Sequence, residues 1–200
     1  SALSDLRRGA RADDHILLYY AGHGLLDEQA DRGYWLPVDA EPANMAQWIS
    51  TSDIAGIFAG SEAKHALVIA DSCFAGALLR SAETTSLETL QRLAAKRSRT
   101  VLTSGGLEPV VDDGDGTHSV FAASLLDTLA ANDAVLEASK LFAAVRDRVV
   151  LNADQTPQYS PMQKAGNLAG YPRASPQWQK FAISAPFFNV QALLFPSPII

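Results

Sequence analysis

Three short apolar runs, each stopped by small or polar residues, organise this chain. His15-Ile16-Leu17-Leu18-Tyr19-Tyr20 ends at Ala21-Gly22, Ala66-Leu67-Val68-Ile69-Ala70 ends at Asp71-Ser72-Cys73, and Thr100-Val101-Leu102-Thr103-Ser104 ends at Gly105-Gly106. Runs this short, with apolar residues in succession rather than at alternate positions, are the pattern of strands buried on both faces. Between them the period changes. Leu3 and Leu6 stand at helical spacing, and Thr51-Ser52-Asp53 offers an N-cap to a helix over 54–58. Residues 77–99 are polar and helical in composition. Phe121, Leu125, Leu126 and Leu129 fall on one helical face, as do Leu141, Phe142, Val145 and Val149. Residues 24–50 read as loop with one small strand near Tyr34 to Val38. Strands alternating with helices predict an α/β fold: a three-layer α/β/α sandwich around a mainly parallel central sheet.

Composition narrows the classes. Two hundred residues suggest one domain over 1–170, followed by a proline-containing apolar tail over 171–200. Seven of the ten prolines lie from Pro157 onward and no acidic residue follows Asp154, which separates the tail from the body. A net charge of −6 argues against a nucleic-acid partner, whose protein footprint is usually basic. No apolar run reaches the length of a membrane span, and the polar N-terminus does not read as a secretory signal, so the expectation is a cytoplasmic protein with no membrane partner. One cysteine, Cys73, excludes an internal disulfide and a zinc site built from several thiolates.

Two of the strand ends carry chemistry. Tyr19-Tyr20-Ala21-Gly22-His23-Gly24 delivers an imidazole between glycines, and Asp71-Ser72-Cys73-Phe74-Ala75-Gly76 delivers a thiol just past a strand. Reacting groups in open α/β sheets gather at the carboxyl edge. A histidine there can be an ordinary turn residue, and a lone cysteine is often a small buried hydrophobe. If the two strands are parallel neighbours, however, His23 and Cys73 share one rim, the arrangement a thiol nucleophile with an imidazole partner requires.

The pair resembles the caspase and metacaspase family of cysteine endopeptidases, in which a histidine within Gly-His-Gly precedes a cysteine within Asp-x-Cys by about 50 residues. Asp71-Ser72-Cys73 is nearer to metacaspases and their bacterial relatives than to animal caspases. Trp35-Leu36-Pro37-Val38-Asp39, His118-Ser119-Val120-Phe121 and Gln155-Thr156-Pro157-Gln158-Tyr159 also look like bacterial members. The resemblance spans roughly residues 10–168. It implies a caspase-like sandwich and a Cys-His dyad of Cys73 and His23. It also implies an oxyanion hole at the backbone N–H groups of Gly24 and Cys73, and regulated proteolysis of a stress, defence or cell-death type. Asp71 would lie beside the P1 side chain and favour protein or peptide substrates with Arg or Lys there, with Ser104 a further substrate contact. Residues 80–99 stand where relatives carry a linker, which makes Lys96, Arg97 and Arg99 candidate self-cleavage sites. Calcium serves many metacaspases. Asp112-Asp113-Gly114-Asp115-Gly116 lacks the full EF-hand pattern, and Asp39 and Asp53 match only some of the expected carboxylates. The expectation is therefore no metal and no cofactor. His15, His65 and His118 are read as structural or surface residues. The family's opening strands are not visible before His15, so the first strand is expected at a sheet edge, and a second S1 acid carried there is missing. That departure keeps two other readings open: an inactive caspase-fold interaction module or gene fragment, and a non-protease cysteine hydrolase or transferase. The oligomeric state is not legible.

Overall fold

The structure, a computed structural model, describes residues 2–41, 43–73, 75–79, 98–106, 118–133 and 136–162. In chain order its elements are α1 (Ala2–Gly9), β1 (His15–Ala21), β2 (Gly24–Asp27), β3 (Arg32–Trp35), β4 (Ile49–Ser50), α2 (Thr51–Ala59), β5 (His65–Asp71), β6 (Ser98–Thr103), α3 (Val120–Ala130), α4 (Ala138–Asn152) and β7 (Gln158–Pro161). Short 3-10 turns cover Met45–Gln47 and Ala75–Leu79.

The three apolar runs form β1, β5 and β6, which lie side by side and parallel, with β7 added antiparallel to β6 in the order β1-β5-β6-β7. Every residue of β5 is buried, as expected of a strand covered on both faces and flanked on both sides. In β1 buried and half-buried positions alternate, and the strand is outermost in the described sheet, at the edge position anticipated for it. On one face Ile16, Leu18, Ala66, Val68, Ala70 and Val101 pack with Ile54 and Phe58 of α2, with Leu3 and Leu6 of α1 at the margin. On the other, Leu67, Ile69 and Leu102 pack with Phe121 and Leu125 of α3 and Leu141, Val145 and Val149 of α4. Each such side chain taken fully from water contributes about 1.5–3 kcal/mol. These two apolar faces hold the α/β/α layers together.

Several local features differ from the sequence expectation. Residues 24–50 are largely turn and irregular chain, as expected, and β3 (Arg32–Trp35) overlaps the small strand expected near Tyr34 to Val38; β2 and β4 are additional, and with β3 they form a separate antiparallel sheet in the order β2-β3-β4. Its strands are two to four residues long with mixed polarity, too short to show a two-residue period. The N-cap of α2 is Ser50 rather than a residue of 51–53, and the Thr51 hydroxyl instead donates to the Gly33 carbonyl at 3.1 Å. The third strand begins at Ser98, so Arg99 lies within β6 opposite Ala66 and not in a linker. Its guanidinium donates to the carbonyls of Phe58, Ser61 and Ala63 at 2.7–2.9 Å. A cation there satisfies carbonyls at and just past the end of α2, where the helix dipole favours positive charge. Lys96, Arg97 and the acidic loop 112–116 lie outside the described residues, as does the tail 171–200.

Candidate active site

The site follows from strand register. β1 and β5 pair residue for residue from His15↔His65 to Ala21↔Asp71, and the Gly22 N–H continues the ladder by donating to the Asp71 carbonyl at 3.2 Å. The two chains therefore leave the sheet level with each other, and His23 and Cys73 each follow two residues after the last register pair. The loops they occupy touch. A Cβ placed on Gly24 would lie 2.0 Å from the Cys73 carbonyl oxygen and 3.4 Å from the Ser72 hydroxyl oxygen, so only a residue without a side chain allows this approach. His23 is exposed and Cys73 is half-buried, so both are open to a substrate.

Both loops are braced. The Tyr20 hydroxyl lies 2.8 Å from the His23 carbonyl and 2.9 Å from the Leu36 carbonyl, and accepts from the Leu36 N–H at 3.1 Å. Burial raises the Tyr20 pKa well above its ordinary value, so the hydroxyl keeps its proton and remains a donor. The Trp35 ring stacks on Tyr20 with centroids 4.2 Å apart. On the cysteine side, the Ala75 N–H donates to the Ser72 carbonyl, and the Gly76 N–H donates to the Gly106 carbonyl at 2.9 Å. Gly76 and Gly106 meet backbone to backbone, since a Cβ on Gly76 would lie 2.7 Å from the Gly106 carbonyl carbon. The Ser104 N–H donates to the Ala70 carbonyl, which holds the end of β6 beside the end of β5.

Asp71, the last residue of β5, is 8% exposed. Along β5 it continues the face of Leu67 and Ile69, toward α3 and α4. Its carboxylate accepts a short hydrogen bond from the hydroxyl of Ser119, which also accepts from the Ala122 N–H as the N-cap of α3. Burial first, and the Asp71 charge second, push the Tyr19 hydroxyl above its usual range. Ser104 is fully buried next to this rim, and its hydroxyl has no hydrogen-bond partner among the described residues. Asp39 and Asp53 are both exposed, and among the described residues no cluster of three or more His, Cys, Asp or Glu side chains is placed to hold a metal ion.

The sequence reading thus named His23, Gly24, Asp71, Cys73 and Ser104, and all five stand at the carboxyl edge of the sheet. It missed the bracing by Tyr20 and the contact from Ser119. A serine just before an apolar helical period is an N-cap signal that would have pointed to Ser119, though not to its partner.

The caspase-domain family model matches residues 1–167. The chain belongs to the caspase-domain family of cysteine peptidases. No curated protein matches it. Among solved structures, this caspase-domain chain is similar to protein GSU0716 from Geobacter sulfurreducens, with a TM-score of 0.55, 17% identity, and coverage of 80% of this chain and 70% of that one. At that identity the likeness is one of fold. In this caspase domain the outermost helices and the hairpin sheet serve one arrangement: two strand ends held level, with a thiol and an imidazole beyond them.

Proposed function

We propose that this caspase-domain protein is a cysteine endopeptidase that cuts after Arg or Lys, with Cys73 as nucleophile and His23 as its proton partner. The observation that carries the reading is the register of β1 and β5, which ends both strands at one level and packs Gly24 against the backbone of Cys73. The Cys73 thiolate attacks the scissile carbonyl and forms a tetrahedral intermediate. The imidazolium of His23 gives its proton to the leaving amine as the C–N bond breaks and a thioester remains. Water then adds to the thioester, with His23 taking the proton, and the acid product leaves with the thiol restored. The His23 carbonyl accepts from the Leu36 N–H, which makes Gly24 and Trp35 a pair without ladder hydrogen bonds. The Gly24 N–H consequently points away from β3, which favours it, with the Cys73 N–H, as an oxyanion donor.

Asp71 supports the basic specificity. Along its face of the sheet it pairs with Ala21, and Ser104 follows at the next position of β6. Two small residues beside one carboxylate suit a long cationic side chain and oppose an acidic one. Lys96 and Arg97 remain the self-cleavage sites of this reading. Arg99, bound to five carbonyls within β6, would have to leave the sheet to be cut. The reading includes no calcium requirement, and its cellular role is regulated proteolysis of a stress, defence or cell-death type.

A fluorogenic panel with Arg, Lys or Asp at P1 tests it. Arg and Lys substrates should be cleaved, with activity lost in Cys73→Ala and His23→Ala. Asp71→Ala should cost about 30-fold or more on Arg, as expected for removing one partner of a desolvated ion pair. Cleavage after Asp but not Arg would refute the specificity. In the same samples, fragments ending at Lys96 or Arg97 should appear in wild type and be missing from Cys73→Ala.

A further inference from the structure

We propose that Ser119 is a positioning residue for substrate recognition: its hydroxyl holds the Asp71 carboxylate in the orientation and charge state that receives a cationic P1 side chain. The inference rests on the reading of Asp71 given above and adds the group that sets it. Ser119 stands 48 residues from Asp71 in sequence, yet its Oγ donates to Asp71 Oδ2. The same Oγ accepts from the Ala122 N–H at 2.9 Å, and Ser119 has the extended backbone of an N-cap, with φ −61° and ψ 158°. A serine hydroxyl has one proton and two lone pairs. The N-cap role uses a lone pair, so the proton is left for the carboxylate, and both contacts fix the same rotamer. Asp71 itself ends a strand whose every residue is buried, so its backbone is held by the sheet and its side chain by the helix.

Two consequences follow for chemistry. The carboxylate is oriented before substrate arrives, which removes part of the ordering cost of binding. A hydrogen bond donated to the charged form also favours that form, and the amino end of α3 adds its partial positive charge. Asp71 thus stays ionised to lower pH than it would without Ser119. Among the described residues, the titratable groups around it include Tyr19 on β1, His118 beside Ser119, and His23 and Cys73 on the same rim. A shift on changing Ser119 that appears with Arg and not with citrulline reports on Asp71.

The test compares peptide substrates carrying Arg or its neutral isostere citrulline at P1, measured across pH. The ratio of the two kcat/KM values cancels every factor common to the two substrates. Wild type should prefer Arg, with the preference fading as acid protonates Asp71. Ser119→Ala should lower the ratio about tenfold, through KM for Arg, and move the acid limb of the ratio to higher pH. Ser119→Gly should do the same while costing the helix little, since glycine is a tolerated N-cap. Ser119→Thr, which keeps the hydroxyl, should restore both. If Ser119→Ala and Ser119→Gly keep the wild-type ratio and limb, with at most a lower Tm, Ser119 is a helix cap only and the inference fails alone. If wild type itself does not distinguish Arg from citrulline, the specificity reading fails and this one with it.

Discussion

Gly24 has no room for a methyl group. The Cβ of an alanine there would lie 2.0 Å from the Cys73 carbonyl oxygen, a separation that neither chain can relieve without moving, because both are backbone. The strand that ends at Ala21 and the hairpin bond between Leu36 and His23 hold one side, while Gly76 on Gly106 holds the other. The strain must therefore appear as displacement of the Cys73 loop. Misplacing a reacting group by about 1 Å costs on the order of 100-fold in rate. Gly24→Ala should lower kcat/KM on Arg substrates by about that factor, while circular dichroism shows the same secondary structure. Unchanged kcat/KM would mean that the contact is not part of the site. At this scale the positions of His23 and Cys73 at the strand ends were legible, because each sits where an apolar run stops and a glycine follows. Their supports were not. Tyr20 reads as one more apolar strand residue, and its hydroxyl finds the His23 and Leu36 carbonyls only once the hairpin folds back. Ser119 reads as a cap, and nothing local says that its proton goes to Asp71.

Among elements, the parallel strands were legible, and of the antiparallel ones only β3 was, overlapping the small strand expected near Tyr34 to Val38. β5 is buried at every position and β1 and β6 carry successive apolar residues, whereas β7 is four residues at the rim with Gln158 exposed and Pro161 at its end. The opposite ends of β1 and β5 carry a second consequence of register. Because His15 pairs with His65, their rings lie 4.8 Å apart, and His65 Nδ1 lies 3.0 Å from the Ser98 hydroxyl oxygen. Burial, then the positive charges of His15, Lys64 and Arg99, push the His65 pKa down to about 4. Burial also lowers His15, opposed by Asp14 and Asp13. An unfolded histidine titrates near 6.5. Between about 6.5 and 4 the unfolded chain takes up a proton that folded His65 declines, so stability falls as pH falls through that window. Above it this group contributes its full effect. The slope for one such histidine is at most about 1.4 kcal/mol per pH unit. Urea unfolding at steps from pH 7.5 to 4.5 should show stability dropping with acid, and His65→Gln should flatten the curve. An equal slope in the variant would assign the loss to other groups.

For the whole molecule, helices on both faces of the sheet leave its carboxyl edge as the place where β1, β5, β6, the start of β7 and the amino end of α3 all meet. That convergence is why residues as far apart as His23, Asp71, Cys73, Ser104 and Ser119 belong to one rim, and it agrees with the caspase-domain match over residues 1–167. The layer order was legible from strands alternating with helices. The small β2-β3-β4 sheet was legible only at β3, since its short strands show no period of their own and are held by Trp35 on Tyr20 and Thr51 on Gly33. Covalent labelling tests whether Cys73 and His23 act as a pair. A peptide chloromethyl ketone ending in Arg should leave one adduct per chain, located on Cys73 by mass spectrometry. The rate should drop strongly in His23→Ala and on replacing Arg with Asp in the reagent. A folded protein whose Cys73 stays unmodified, or reacts equally fast with and without the imidazole, would contradict the account.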